Sequence, residues 1–230
     1  MAHWKSALFG SLIVAIGIAA SAPFGMAQNG PGNFQVLETS IDDIHAAYRA
    51  GRLTAHQLTQ IYLDRIHAYD KQGPTINSII TLNPQALQDA DRLDAAYRSS
   101  GFVGPLHGIP VLVKDEIDTA GMPTTLGTTV FKDYRPTRDS FVVDRLRKAG
   151  AIILAKGNMG EYASGDRSTF GGTTCNPYDT TRSAGRSSGG SGAAVAANLV
   201  TCAIGEETGP SARNPAANGS LVGIVATTVW

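Results

Sequence analysis

The chain has 230 residues, 43% hydrophobic and 17% charged, with 19 Lys and Arg against 19 Asp and Glu. That composition is globular and rules out a disordered or fibrous chain. A formal net charge of zero, with no run of Lys and Arg, rules out sequence-independent nucleic-acid binding, which needs concentrated positive charge.

Residues 1–27 read as a secretory signal peptide: a weakly basic tip with His3 and Lys5, the uncharged run Ala7–Ala20, then small residues up to Ala27. The run is about 14 residues, short of the ~20 that a membrane-spanning helix needs, so no stable membrane insertion is expected after cleavage. An uncleaved anchor is the alternative. The expected location is periplasmic or extracellular. In an exported chain Cys175 and Cys202 could pair. The polar surroundings of Cys175 and the apolar run around Cys202 favour two separate thiols.

Residues 28–39, rich in Gly, Pro and Asn, read as a linker. Ser40 with Asp43 caps a first helix, which Gly51 stops. Thr54 with Gln57 caps a second, over 54–71, whose Leu58, Ile61, Tyr62, Ile66 and Tyr69 form one apolar face. Ile76–Leu82 is β-branched and reads as a strand. Asn83-Pro84 opens a helix to about Ser99. Ile109–Val113 is a buried-type strand ending on Lys114. A helix capped by Asp139 or Ser140 runs to Ala149. Ala151–Ala155 is a second apolar strand, ending on Lys156. Residues 157–187 read as polar, Gly-rich loop. Ser188–Asn198 is an Ala-rich helix, Val200–Ile204 a strand and Leu221–Ala226 another. Alternating strands and helices indicate an α/β layer structure with a mainly parallel sheet.

Several chemistries fail on spacing. His45, His56 and His67 lie eleven residues apart, about 16 Å along a helix, too far for two ligands of one metal ion. They read as solvated or half-buried helix histidines. No H-E-x-x-H and no phosphate-binding G-x-x-x-x-G-K-[ST] occurs. Gly185-Arg-Ser-Ser-Gly189 fits the nucleophile elbow G-x-S-x-G. However, all five histidines precede Ser187 and no Asp follows Asp179, so the Ser-Asp-His order cannot be built. A serine nucleophile without histidine needs another base, and a lysine serves if burial disfavours its ammonium form. Lys114 and Lys156 each end an apolar strand, at the carboxyl edge where α/β sites sit. Ser187 and Ser211 lie in Gly-rich turns whose backbone N–H groups can converge on a developing negative oxygen.

Five blocks in order, Gly104–Asp115, Asp118–Thr124, Lys156–Glu161, Gly185–Ser191 and Gly205–Pro215, resemble the amidase signature family, hydrolases of carboxamides with a Ser–Ser–Lys triad. The resemblance covers about Ser40 to Ile224. Its motif style is similar to that of bacterial peptide amidases. It implies a central mixed, mostly parallel sheet flanked by helices. It also implies that Lys114 is the base and Ser211 the nucleophile, while Lys156 belongs to a structural block. Ser187 would be the bridging serine, preceded by a cis peptide bond. Backbone N–H groups of Thr208, Gly209 and Ser211 would hold the oxyanion. Pro210 stands where the family turn usually has Gly, which removes one donor. No cofactor or metal is implied; the partner is a small-molecule or peptide amide.

Family members continue well past the nucleophile. The resemblance therefore implies that 40–226 is the N-terminal part of a longer domain, present as a fragment, and that 227–230 match nothing. An open sheet edge would favour association, with oligomeric state unspecified. Two other functions stay open: a catalytically inactive amidase-like binding protein, and the amidase subunit of a tRNA-dependent amidotransferase. The signal peptide and neutral charge weigh against the second.

Overall fold

The computed structural model describes residues 34–226. The expected signal peptide, residues 28–33 of the linker and the 227–230 tail lie outside them.

Helix α1 (Ile41–Arg49) begins where Ser40 Oγ accepts the Asp43 N–H and the Asp43 carboxylate accepts the Ser40 N–H, both at 3.1 Å. Thr54 and Gln57 exchange the same pair of bonds at the start of α2 (Ala55–Tyr69). Each box satisfies N–H groups that a helix start leaves unpaired. Leu58, Tyr62 and Ile66 of α2 enter the core, and α3 (Ala86–Ser100) packs against that helix.

Strand β1 (Ile79–Leu82) is shorter than the expected Ile76–Leu82, because Asp70 intercepts the segment leading into it. Asn77 N–H donates to Asp70 O at 2.8 Å, and the buried Asp70 carboxylate accepts the N–H groups of Ser78 (2.6 Å) and Ile79 (3.1 Å). Strand β2 (Pro110–Lys114), helix α4 (Phe141–Lys148) and strand β3 (Ile152–Gly157) follow. Every residue of β2 and β3 is buried, as continuous apolar runs in a two-sided sheet require.

Residues 157–187 are not wholly loop. They form two short antiparallel pairs, β4 (Arg167–Ser168) with β5 (Gly172–Thr173) and β6 (Cys175–Asn176) with β7 (Asp179–Ser183). These ladders are too short and polar to show apolar alternation. Helix α5 (Gly189–Ala196), strand β8 (Cys202–Ile204) and helix α6 (Arg213–Asn218) complete the described chain. The main sheet runs β1-β3-β2-β8, with β1 antiparallel and the other three parallel. This is the mixed, mostly parallel sheet flanked by helices that the sequence implied.

Two expectations need correction. Leu221–Ala226 is not a strand. Its Leu221 N–H closes the end of α6 on Ala216 O at 2.8 Å, while Val222 and Ile224 stand 91% and 88% exposed. Apolar content gives β propensity but no neighbouring strand to pair with. His45 is neither solvated nor half-buried. It is buried among Tyr48, Phe102 and His107, with Nε2 3.0 Å from His107 O. Cys175 and Cys202 carry free thiols.

Candidate active site

Lys114 owes its position to the sheet. In sequence β3 follows β2 on one side, and the chain then crosses back to place β8 on the other. The strand order therefore reverses at β2, and ligands of open α/β sheets collect at such a reversal, beyond the carboxyl ends of the strands. Lys114 ends β2 there, and Val113 is in register with Ile204 of β8. The next residue, Asp115, is fully buried. Its Oδ2 accepts Thr125 N–H (3.0 Å), Thr125 Oγ1–H (2.8 Å) and Gly127 N–H (3.1 Å), fixing the loop that leaves the strand.

Ser187 lies in the turn that opens α5, and the Arg186–Ser187 peptide is cis. Gly185 adopts φ 96°, and a Cβ there would meet Asn214 and Pro215 within 3.0 Å, so the turn tolerates no side chain at that position. Arg186 is exposed, and its N–H donates to Asn214 Oδ1 at 2.9 Å. The adjoining end of α5 is anchored to the residue that follows β3 by Gly190 N–H donating to Asn158 O at 2.9 Å.

Ser211 sits in the turn between β8 and α6. Glu207 braces that turn: Oε2 accepts the N–H groups of Ala212 and Arg213, both at 2.8 Å, and Oε1 takes the Arg213 guanidinium. The Arg213 backbone N–H holds the Glu207 carboxyl below its ordinary range. Ser188 N–H donates to Ser211 O at 3.2 Å and ties the two serine turns together. The backbone N–H groups of Thr208, Gly209 and Ser211 donate to no acceptor among the described residues, and Pro210 has none to give.

The three side chains singled out by the sequence meet. Lys114 Nζ is 2.8 Å from Ser187 Oγ, which is 3.1 Å from Ser211 Oγ. Lys114 is wholly buried, whereas Ser211 retains 9% exposure. Lys156, equally buried, does not approach a serine. Its Nζ donates to Pro123 O at 3.1 Å and Thr124 Oγ1 at 3.2 Å, and burial pulls it down to about 8. Geometry thus separates two lysines that looked alike as strand-end residues.

Glu116 and Glu206, for which no sequence motif gives a role, also reach Lys114. Glu206 Oε2 accepts from Lys114 Nζ at 3.1 Å. Glu116 Oε1 lies 2.6 Å from the same nitrogen at an angle poor for a hydrogen bond, so that contact is ionic. Burial raises the Glu116 carboxyl above its ordinary range, and the Thr208 hydroxyl, donating to Glu206 Oε1 at 2.6 Å, lowers that of Glu206. The only available signal is an acidic residue two positions beyond the end of each strand, β2 and β8. A cavity of about 360 Å³ lies behind Ser188, between α5, β8 and α6, and neither Ser187 nor Ser211 lines it. No group of His, Cys, Asp and Glu among the described residues could hold a metal ion, and none of the described helices is long and apolar enough to cross a membrane.

Residues 57–228 match the family model described as Amidase. The chain is 39% identical over 194 residues to a glutamyl-tRNA(Gln) amidotransferase subunit of an Azoarcus species, covering 84% of this chain and 39% of that protein. It is 43% identical over 186 residues to the same subunit of Chloroflexus aurantiacus, covering 79% and 37%. Among solved structures, native peptide amidase from Stenotrophomonas maltophilia superposes with a TM-score of 0.77 at 45% identity, over 78% of this chain and 38% of that one. A peptide amidase in complex with the competitive inhibitor chymostatin gives 0.78 at 44%, over 80% and 39%. The chain spans about two fifths of the length of the relatives it matches.

Proposed function

The chain belongs to the amidase family, and we propose that it carries the nucleophilic part of an exported hydrolase that cleaves carboxamide C–N bonds through a serine acyl-enzyme. The observation that carries this reading is the continuous contact Lys114–Ser187–Ser211, at 2.8 and 3.1 Å. As an amine, Lys114 takes the Ser187 proton while Ser187 takes that of Ser211. Ser211 Oγ then attacks the amide carbon. The unpaired N–H groups of Thr208, Gly209 and Ser211 are the donors for the developing oxyanion. Ser187 returns a proton to the departing amine, and water releases the acid. Neither carboxylate beside Lys114 is needed for these steps.

A serine-directed fluorophosphonate tests the relay. Labelling of Ser211 should be abolished in Ser211→Ala and fall at least about 100-fold in Lys114→Ala and Ser187→Ala. Labelling at an unrelated residue, or full labelling of Lys114→Ala, refutes the assignment. Failure of the chain to label, together with labelling of a version extended to the length of its relatives, identifies it as an inactive fragment. Export is a separate element of the proposal, resting on residues 1–27. N-terminal sequencing of the protein recovered from cell fractions should find a mature chain beginning at Gln28 outside the cytoplasm.

The identity to glutamyl-tRNA(Gln) amidotransferase subunits favours one second reading, a component of such an amidotransferase. Release of ammonia from a free amide by the extended chain alone would separate the first reading from one that requires partner proteins.

A further inference from the structure

Three groups surround Lys114 Nζ, and only Ser187 belongs to the relay. The others are carboxyls: Glu206 Oε2 at 3.1 Å and Glu116 Oε1 at 2.6 Å. A lysine accepts the Ser187 proton only as an amine, since an ammonium has no lone pair. Opposite charges a few ångströms from a buried nitrogen favour the ammonium. As an ammonium it donates to Ser187, and Ser187 donates to Ser211, so the hydrogen-bond chain runs against the direction the proton must travel.

We propose that Glu206, with Glu116 beside it, is a positioning residue that holds Lys114 as a donor and so gates the relay, and that it is the outlet through which the lysine proton leaves. This rests on the relay proposed above. In the opening step an N–H bond of the Lys114 ammonium breaks and an O–H bond forms on Glu206 Oε2, leaving an amine and a carboxylic acid. Glu206, whose side chain is 35% exposed where Lys114 is closed off, then passes the proton to water. The two carboxyls have different duties. Thr208 occupies Glu206 Oε1 and leaves Oε2 facing the lysine with a path to water, whereas the side chain of Glu116 is only 17% exposed.

Among the described residues no other charged group pairs with Lys114 Nζ. On β3, Lys156 is turned to Pro123 and Thr124. After β2, Asp115 spends Oδ2 on Thr125 and Gly127. In the serine turns Glu207 is engaged by Arg213 and Arg186 is exposed. Helix α5 has no ionisable side chain, and on β8 burial pushes the Cys202 thiol up to about 11.

The test follows the Lys114 Nζ resonance by nitrogen-15 NMR across pH in the full chain, alongside the pH dependence of fluorophosphonate labelling at Ser211. Glu206→Gln should move both midpoints down by about one pH unit or more. Glu116→Gln should move them less, and Glu206→Asp should stay nearer the parent. Glu206→Thr provides a second neutral variant should the first not fold, with thermal melts run on each. A Lys114 midpoint unmoved in Glu206→Gln and Glu206→Thr overturns the gate, and the relay survives that result if Ser211 still labels in the parent. Absence of labelling at every pH, both in these forms and in a version extended to the length of the relatives, overturns relay and gate together.

Discussion

Gly189 and Gly190 are consecutive, both buried, both in the first turn of α5, and should respond oppositely to the same substitution. A Cβ on Gly190 would fall within 3.0 Å of Ser78 O and of the N and O of Asn158, all backbone atoms that cannot swing aside. A Cβ on Gly189 would meet Thr174 and Ala184 at 3.7 and 3.8 Å, ordinary contact. To restore normal separation, Gly190→Ala must push the start of α5 back by about 1 Å, breaking the 2.9 Å bond from Gly190 N–H to Asn158 O. Overpacking of this kind costs about 1–3 kcal/mol. In a domain of this size each kcal/mol lowers Tm by about 2–4 °C. Ser187 lies three residues upstream of the displaced glycine, and a misplacement of about 1 Å can reduce reactivity about 100-fold. Gly189→Ala should stay within about 1 kcal/mol of the parent, on the stabilising side, because alanine loses less backbone entropy than glycine in a helix. Urea and thermal unfolding give the stability arm, and the rate of Ser211 labelling gives the reactivity arm. A Gly190→Ala protein that melts and labels like the parent would refute the close approach of α5 to β3 and the placement of Ser187 that depends on it.

Lys156 makes stability depend on pH in a predictable direction. Its folded value, about 8, lies below the 10.5 of an unfolded lysine, so between those values the unfolded chain binds more protons. The burden of charging it in the folded state is complete below about pH 8 and is relieved as pH rises to 10.5, by about 3 kcal/mol at most. Urea unfolding at pH 7.5 and 10.5 should show this rise in the parent and a smaller one in Lys156→Met; equal slopes would contradict it. Glu207→Gln should weaken the brace on the nucleophile turn, lowering Ser211 labelling by up to about 100-fold, with a modest fall in Tm. Unchanged labelling would mean that the turn holds its shape without the carboxylate.

Much of this protein is legible in one dimension because the signals are local. Both capping boxes lie within four residues, the apolar face of α2 recurs at helical spacing, and β2 and β3 are continuous apolar runs. The serine turns and the lysine stood out as residue types in Gly-rich or strand-end settings, and the order of five blocks carried the family resemblance. Elsewhere the local signals are weak or misleading. Leu221–Ala226 had strand composition without a partner, and helix α6 is a short polar turn built around Pro215.

Sequence alone determined which residue types could do the chemistry, since a chain with no histidine or aspartate downstream of Ser187 cannot build the Ser-Asp-His order of the G-x-S-x-G elbow. Only the tertiary structure decided which lysine reaches them and what else reaches that lysine. Lys114 and Ser187 are 73 residues apart, and Lys114 and Glu206 are 92 apart. Their meeting depends on the parallel register of β2 with β8 and on the return of the chain across β2. Strand register is a property of paired backbones, so no periodicity within either segment could have shown two glutamates converging on one buried nitrogen.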